Sequence, residues 1–458
     1  MVLFRVNPCS SVAMNVRAAI FVSLLCPSRA FAQAPADAPP VRIDIPAIDA
    51  PYNTEHGYRA PSMQQSLALS EGFYEGTHRW IQRAWGEHVW YARFTIVAAD
   101  AFDTLLLPLP GSDGWTHEEY HRAVLGRRGF DSFNDVYKFR FAADAIAVSH
   151  VEDADLMALK RDRPAEQVRM SAAGIEGEYD LVQRLEGNQF FARSPAWHAP
   201  LYWIVKIGSA EYVASGSSAD TNAETDEMNR QDGANVEARD FTGHDFTAWV
   251  YDLFRPDEAY AARGVHPSGV GIDRYIKPSD LTAEELGYLR HEGHLQLLNF
   301  VDPFLIGWRG VSIPVKGSPL RLTANLGHVL TPFGHTVDTN VFLSRGRMSL
   351  LFVAHAYGNR EHTFPGLEAR LVNYPITVGG HALDVSSRVA FWRQPADQRF
   401  NAAEGDGGGL ISVKVRSGGV RRFGAFAEVQ AKTAGWVAGT EALDRNVSVR
   451  AGVSIALR

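Results

Sequence analysis

Cysteine is nearly missing from this chain: of 458 residues only Cys9 and Cys26 are cysteines, and both lie close to the start. If an N-terminal leader is removed, both leave with it. The mature protein is then expected to have no disulfide and no thiolate to hold a metal. Long apolar runs are also scarce. A helix that crosses a bilayer needs about 18–20 apolar residues. The nearest approach, Phe94 to Leu109, is broken by Asp100 and Asp103 and reads as a buried helix. Basic blocks are missing too. With a net charge of -7 and no cluster of Lys and Arg, the chain offers no face to a phosphate backbone, and no nucleic-acid partner is expected. What remains is a chain with 46% hydrophobic residues, long enough for two or three domains with packed cores.

The first segment reads as an address. Arg17 closes a short positive region, Ala18 to Cys26 is apolar, and Ala30-Phe31-Ala32 fits the small-x-small cleavage rule. Residues 1–32 are therefore expected to be a signal peptide, with Gln33 as the mature start. Leu25 stands before Cys26 where a lipoprotein would have a small residue, which argues against lipidation. Residues 33–59 begin rich in Ala and Pro and are expected to be a linker.

The strongest chemical signal is His117-Glu118-Glu119-Tyr120-His121. Pro108, Pro110 and Gly111 interrupt what precedes it, Ser112 or Asp113 can cap a helix, and no Gly or Pro occurs between Trp115 and Leu125. On a helix, residues four apart share a face. His117 and His121 can then turn two imidazoles to one cation, with Glu118 beside them as a general base. Catalytic zinc needs three protein ligands and a water. Downstream, Ser171 to Leu185 reads as a helix weakened by Gly174 and Gly177, with Glu176 and Asp180 on one face.

His117-Glu-Glu-Tyr-His121 followed by Glu176-Gly-Glu-Tyr-Asp180 resembles the gluzincin zinc peptidases, and in these two motifs those related to the CAAX prenyl proteases. The resemblance covers about 65 residues and implies a zinc site of His117, His121 and Glu176, with Glu118 catalytic. It further implies that Asp180 orients a ligand histidine from behind. Glu178 remains the alternative third ligand.

The domain reading follows in chain order. Residues 60–214 are expected to form a helical zinc-metallopeptidase-like domain, and 215–240, polar and acidic, an exposed loop. Residues 241–319 read as a mixed helical and loop region completing the cleft. Two clusters stand out there, Gly243 to Asp252 and Arg263 to Tyr275. The second could present His266, Arg274 or Tyr275 to an oxyanion, although a structural turn accounts for it as well. His291-Glu-Gly-His294 has the wrong spacing for the zinc motif and reads as a helix surface or a minor site.

From residue 320 to 458 the pattern alternates. Val447, Val449, Ala451, Val453, Ile455 and Leu457 fall on one face, with Ser448, Arg450, Gly452 and Ser454 on the other. Such runs are antiparallel strands with one polar and one apolar face. Their number and length fit an outer-membrane β-barrel, with a soluble sheet as the other solution. The expected class is α+β: a mainly helical HExxH domain followed by a C-terminal antiparallel β-barrel or sheet.

These observations lead to the expectation of an exported zinc (Zn2+) metallopeptidase at the outer membrane, with a peptide or protein substrate and outer-membrane lipid as partners. Two other readings share the same features. One is a non-enzymatic outer-membrane barrel or scaffold; the other is a zinc hydrolase acting on another envelope amide or ester.

Overall fold

The structure is a computed structural model that describes residues 39–139, 146–418 and 422–457. The expected signal peptide and both cysteines lie outside these residues. The first element corrects the linker reading: β1 (Val41–Ala50) is a ten-residue strand. Val41 and Ile43 are buried against Ala192.

The helical part follows. Helix α1 (Met63–Trp85) opens with a capping box between Ser62 and Gln65. Helix α2 is Val89–Leu105, and α3, carrying the HExxH motif, is Asp113–Gly126. A short ribbon of β2 (Phe133–Asn134) and β3 (Val148–Ser149) leads to α4 (Asp153–Asp162). Helix α5 (Pro164–Phe191) runs 28 residues with Pro164 in its first turn. Helices α6 (Ala199–Ser215), α7 (Asp220–Asp232), α8 (Asp245–Phe254) and α9 (Ala283–Leu295) complete the set used below.

Helix α7 replaces the loop expected over 215–240. Its buried residues are Thr221, Thr225 and Asn229, spaced four apart. The stripe has helical periodicity, but its members are polar, so a search for apolar periodicity passes over it.

The remaining strands are β4 (Val311–Ile313), β5 (Leu320–Thr331), β6 (Gly334–Arg345), β7 (Met348–Gly358), β8 (Thr363–Val378), β9 (His381–Pro395), β10 (Gly405–Ser417), β11 (Phe423–Lys432) and β12 (Asn446–Leu457). They form one antiparallel meander from β4 to β12, and β1 adds to β12, making ten strands. The fold is therefore mixed α+β. The sheet is open, not a closed barrel: β1 and β4 are its two edges and do not pair with each other. The reason is visible at both ends. β4 offers only three paired residues to β5, and β1 is packed against the helical part.

The alternation works in an inverted sense. The polar face is the buried one, and it wraps the helices. Gln183 of α5 reaches Asn340 at 3.0 Å, and Tyr179 reaches Asp338 at 3.2 Å. Around this lining the charges are paired: Asp44 with Lys414 (2.7 Å) and Arg416 (2.6 Å), Asp49 with Arg450 (3.1 Å), Glu368 with Arg388 (2.7 Å). Pairing is what makes buried charge tolerable. The apolar face points outward, with Leu367, Phe391 and Val447 each more than 60% exposed. Among the described residues no helix is long and apolar enough to cross a membrane.

Candidate metal centre

Helix α3 begins where Ser112 accepts the N–H of Trp115 at 3.4 Å. Every residue of α3 except Gly114 is buried. Polar groups on so buried a helix must find partners, and they do. Glu119 takes two 2.8 Å bonds from Arg122, one of 2.9 Å from Asn134 and one of 3.1 Å from Tyr137. The second glutamate of the motif is thus an anchor for its surroundings.

Helix α5 packs across α3, and its two glycines make that possible. A Cβ at Gly174 would stand 2.2 Å from His117 Nε2, and one at Gly177 would stand 2.8 Å from the Tyr120 ring. Their low helix propensity is offset by the close approach they permit.

The donors converge from three helices. His117 Nδ1 lies 2.7 Å from Glu178 Oε1, and its Nε2 lies 3.2 Å from Asp245 Oδ2. His121 Nδ1 lies 2.5 Å from the Met170 carbonyl, and its Nε2 is 3.3 Å from the same Asp245 oxygen. Asp245 is the first residue of α8, and its N–H donates to the Tyr212 hydroxyl at 3.3 Å. Ligand atoms of His117, His121 and Asp245 all lie within 4.8 Å of one another.

This donor set fits a cation. A carbonyl only accepts, so His121 carries its proton on Nδ1 and points a lone pair from Nε2 at Asp245. That Nε2 is buried and has no hydrogen-bond partner. Glu178 likewise receives the Nδ1 proton of His117, which leaves Nε2 facing the same carboxylate. Acceptors facing acceptors at 3.2 and 3.3 Å repel unless positive charge lies between them. A proton on His117 meets the same demand, and the titration directions follow from it. Burial opposes charge on His117, yet Asp245 and Glu178 raise its pKa well above the usual imidazole range. Burial works to raise Asp245, but His121 and His117 hold it well below the usual carboxylate range. Burial lifts the Glu118 carboxyl to about 7, against the pull of His117 and His121.

Several expected residues serve elsewhere. Glu176, the expected third ligand, is paired with Arg169 at 2.7 Å and accepts from Trp436 Nε1 (3.1 Å) and the Gly439 N–H (2.9 Å). It anchors the loop between β11 and β12, and the carboxylate that stands beside the two imidazoles is that of Asp245. Asp180 accepts from the Tyr120 hydroxyl at 3.1 Å and orients no ligand histidine; Glu178, the alternative ligand, sits behind His117 as its support. The three expected oxyanion groups are also engaged. His266 Nδ1 meets Ser268 at 2.9 Å, Arg274 donates to Asp153 at 2.8 Å, and Tyr275 donates to Asp232. They brace the loop in which they stand and tie it to α4 and α7. Asp245 was missed because no spacing rule links it to the motif. Its one local signal is a polar His244-Asp245 pair opening an apolar helix, which also describes an ordinary cap.

No family model, no curated protein and no solved structure matches this chain, so the functional reading rests on the geometry above.

Proposed function

We propose that this protein is an exported zinc metallopeptidase working at the outer membrane. The observation that carries the reading is the convergence of His117, His121 and Asp245, with Glu118 next to the first ligand on the same helix. His117 Nε2, His121 Nε2 and an oxygen of Asp245 would hold Zn2+, which supplies Lewis acidity to a peptide carbonyl and to the attacking water. Glu178 and the Met170 carbonyl each grip an Nδ1–H, so both Nε2 lone pairs keep their aim. Glu118 takes one proton from the water as its oxygen bonds to the carbonyl carbon. It then hands that proton to the amine as the C–N bond breaks.

The membrane half of the proposal is supported by the inverted sheet. A strand needs about 9–11 residues to cross an outer membrane, and β5 to β12 run from ten to sixteen residues. Their outer face is apolar and their inner face charged, the arrangement that lipid outside and a polar interior demand. Exposed Trp80, Trp90, Tyr91 and Phe94 on α1 and α2 add aromatic surface of the kind that settles at a bilayer interface. The free edge of β4 would have to be paired or covered by protein at the membrane, because lipid satisfies no backbone group.

The test is Glu118→Gln in the purified full chain, assayed on a mixed peptide library and for zinc. Turnover should fall about 10²–10⁴-fold while zinc stays bound. Full turnover in the variant, or a wild-type chain that takes up no zinc, overturns the reading. Cofractionation with outer-membrane vesicles checks the second half.

A further inference from the structure

A second group of metal-ligating side chains lies on other elements. Glu292 is on the buried side of α9, between His291 and His294, which are exposed. His328 is on β5 and His335 on β6, across one hairpin. Glu292 Oε2 stands 3.0 Å from His328 Nε2, and Oε1 stands 2.9 Å from His335 Nδ1. Ligand atoms of all three residues lie within 4.8 Å of one another.

The cluster is built, not incidental. Asn299 clamps the backbone of His328, accepting its N–H at 2.6 Å and donating to its carbonyl at 3.2 Å. The His335 ring lies on Gly358, where a Cβ would come 2.3 Å from Nε2. Glu292 is 0% exposed and His328 2%, and the ion-pair partners of Glu292 among the described residues are these two imidazoles. A carboxylate at that depth needs a positive neighbour, and a cation shared with the two imidazoles would be one. Ligand atoms on a tetrahedral ion stand about 3.3 Å apart, and the two Glu292–imidazole separations, 3.0 and 2.9 Å, each from its own carboxylate oxygen, are close to that spacing. A cavity whose lining includes His328, Gln296, Asn325 and Glu178 connects this cluster with the side of the first centre.

We infer that Glu292, His328 and His335 form a second binding site, for a first-row divalent transition cation with zinc the natural candidate, tying α9 to the β5–β6 hairpin. Two imidazoles and one carboxylate are ligands of that class. The site stands apart from the peptidase reading and survives if that reading fails.

The experiment strips the full chain with a chelator, reloads it with Zn2+ alone and counts bound metal. The first centre is disabled by His117→Ala with Asp245→Asn. That chain should still hold about one zinc ion, and adding His335→Gln should bring it close to none. His335 is the partly exposed member of the three, so the exchange is made where burial is least. A first-centre variant that holds no zinc overturns the inference, as does unchanged zinc after His335→Gln. Gly358→Ala gives a second measure that removes no ligand: displacing the His335 ring should weaken zinc at this site at least about tenfold, and unchanged affinity counts against the assignment.

Discussion

Two buried polar regions of this protein solve the same electrostatic problem in opposite ways. The inner face of the sheet compensates itself: Asp44, Asp49 and Glu368 each meet a cation of the same lining. The centre between α3, α5 and α8 does not. There, three acceptors face one another, and a backbone carbonyl and a carboxylate behind the histidines hold them so. On the proposed reading, the difference separates charge kept for the fold from charge kept for a ligand. Burial alone does not distinguish them, because both regions are equally out of water. The distinguishing feature is whether the partner is already in place.

That contrast can be broken by experiment, and the largest effect belongs to the sheet. Asp49→Ala leaves Arg450 buried without its closest anion, and should cost about 3–5 kcal/mol in detergent-solubilised denaturation. Zinc uptake by the folded fraction should not change; a matching loss of zinc would merge the two regions.

Next comes Asp180, a buried carboxyl of a third kind. Burial, aided by the charge of Glu176, raises it to about 7. A group whose folded pKa lies above its unfolded value contributes stability that is complete below the unfolded pKa, near 3.9, and lost as pH rises through the folded pKa. The wild-type protein should therefore lose about 3 kcal/mol from this group between pH 4 and pH 7. Asp180→Asn should flatten that slope, measured as unfolding free energy against pH. An unaltered slope would place Asp180 among the compensated charges.

The smallest effect sharpens the other side. Glu178→Gln keeps the hydrogen bond to His117 but loses its charge. Zinc affinity should fall about 10–100-fold with the thermal midpoint nearly unmoved. A large fall in stability instead would make Glu178 part of the fold's own charge balance.

The pair His117 and His121 was legible because helical spacing needs nothing but a local helix. The strands from β5 onward were legible because alternation is equally local. What alternation does not state is which face turns inward, and here the polar one does. The choice between Glu176 and Glu178 shows where spacing arguments stop. Two positions on a helix differ by about 200°, so only one of these acids can face α3. The clue was present in Gly174. It marks the line of contact with His117, and Glu178 lies four residues on, one turn further along the same face. Read as a weak point in a helix, that glycine hid the answer. Asp245 was out of reach for a different reason: it stands 124 positions after His121, and tertiary packing alone brings it there.

The pairing of β1 with β12 sets a condition on biogenesis. Residues 41–50 leave the ribosome among the first of the described chain, yet their strand partner among the described residues is 446–457, among the last. Until synthesis is almost finished, this early strand has an unsatisfied edge that any other extended segment could occupy. The described sheet is therefore completed only after the last of its strands has been made.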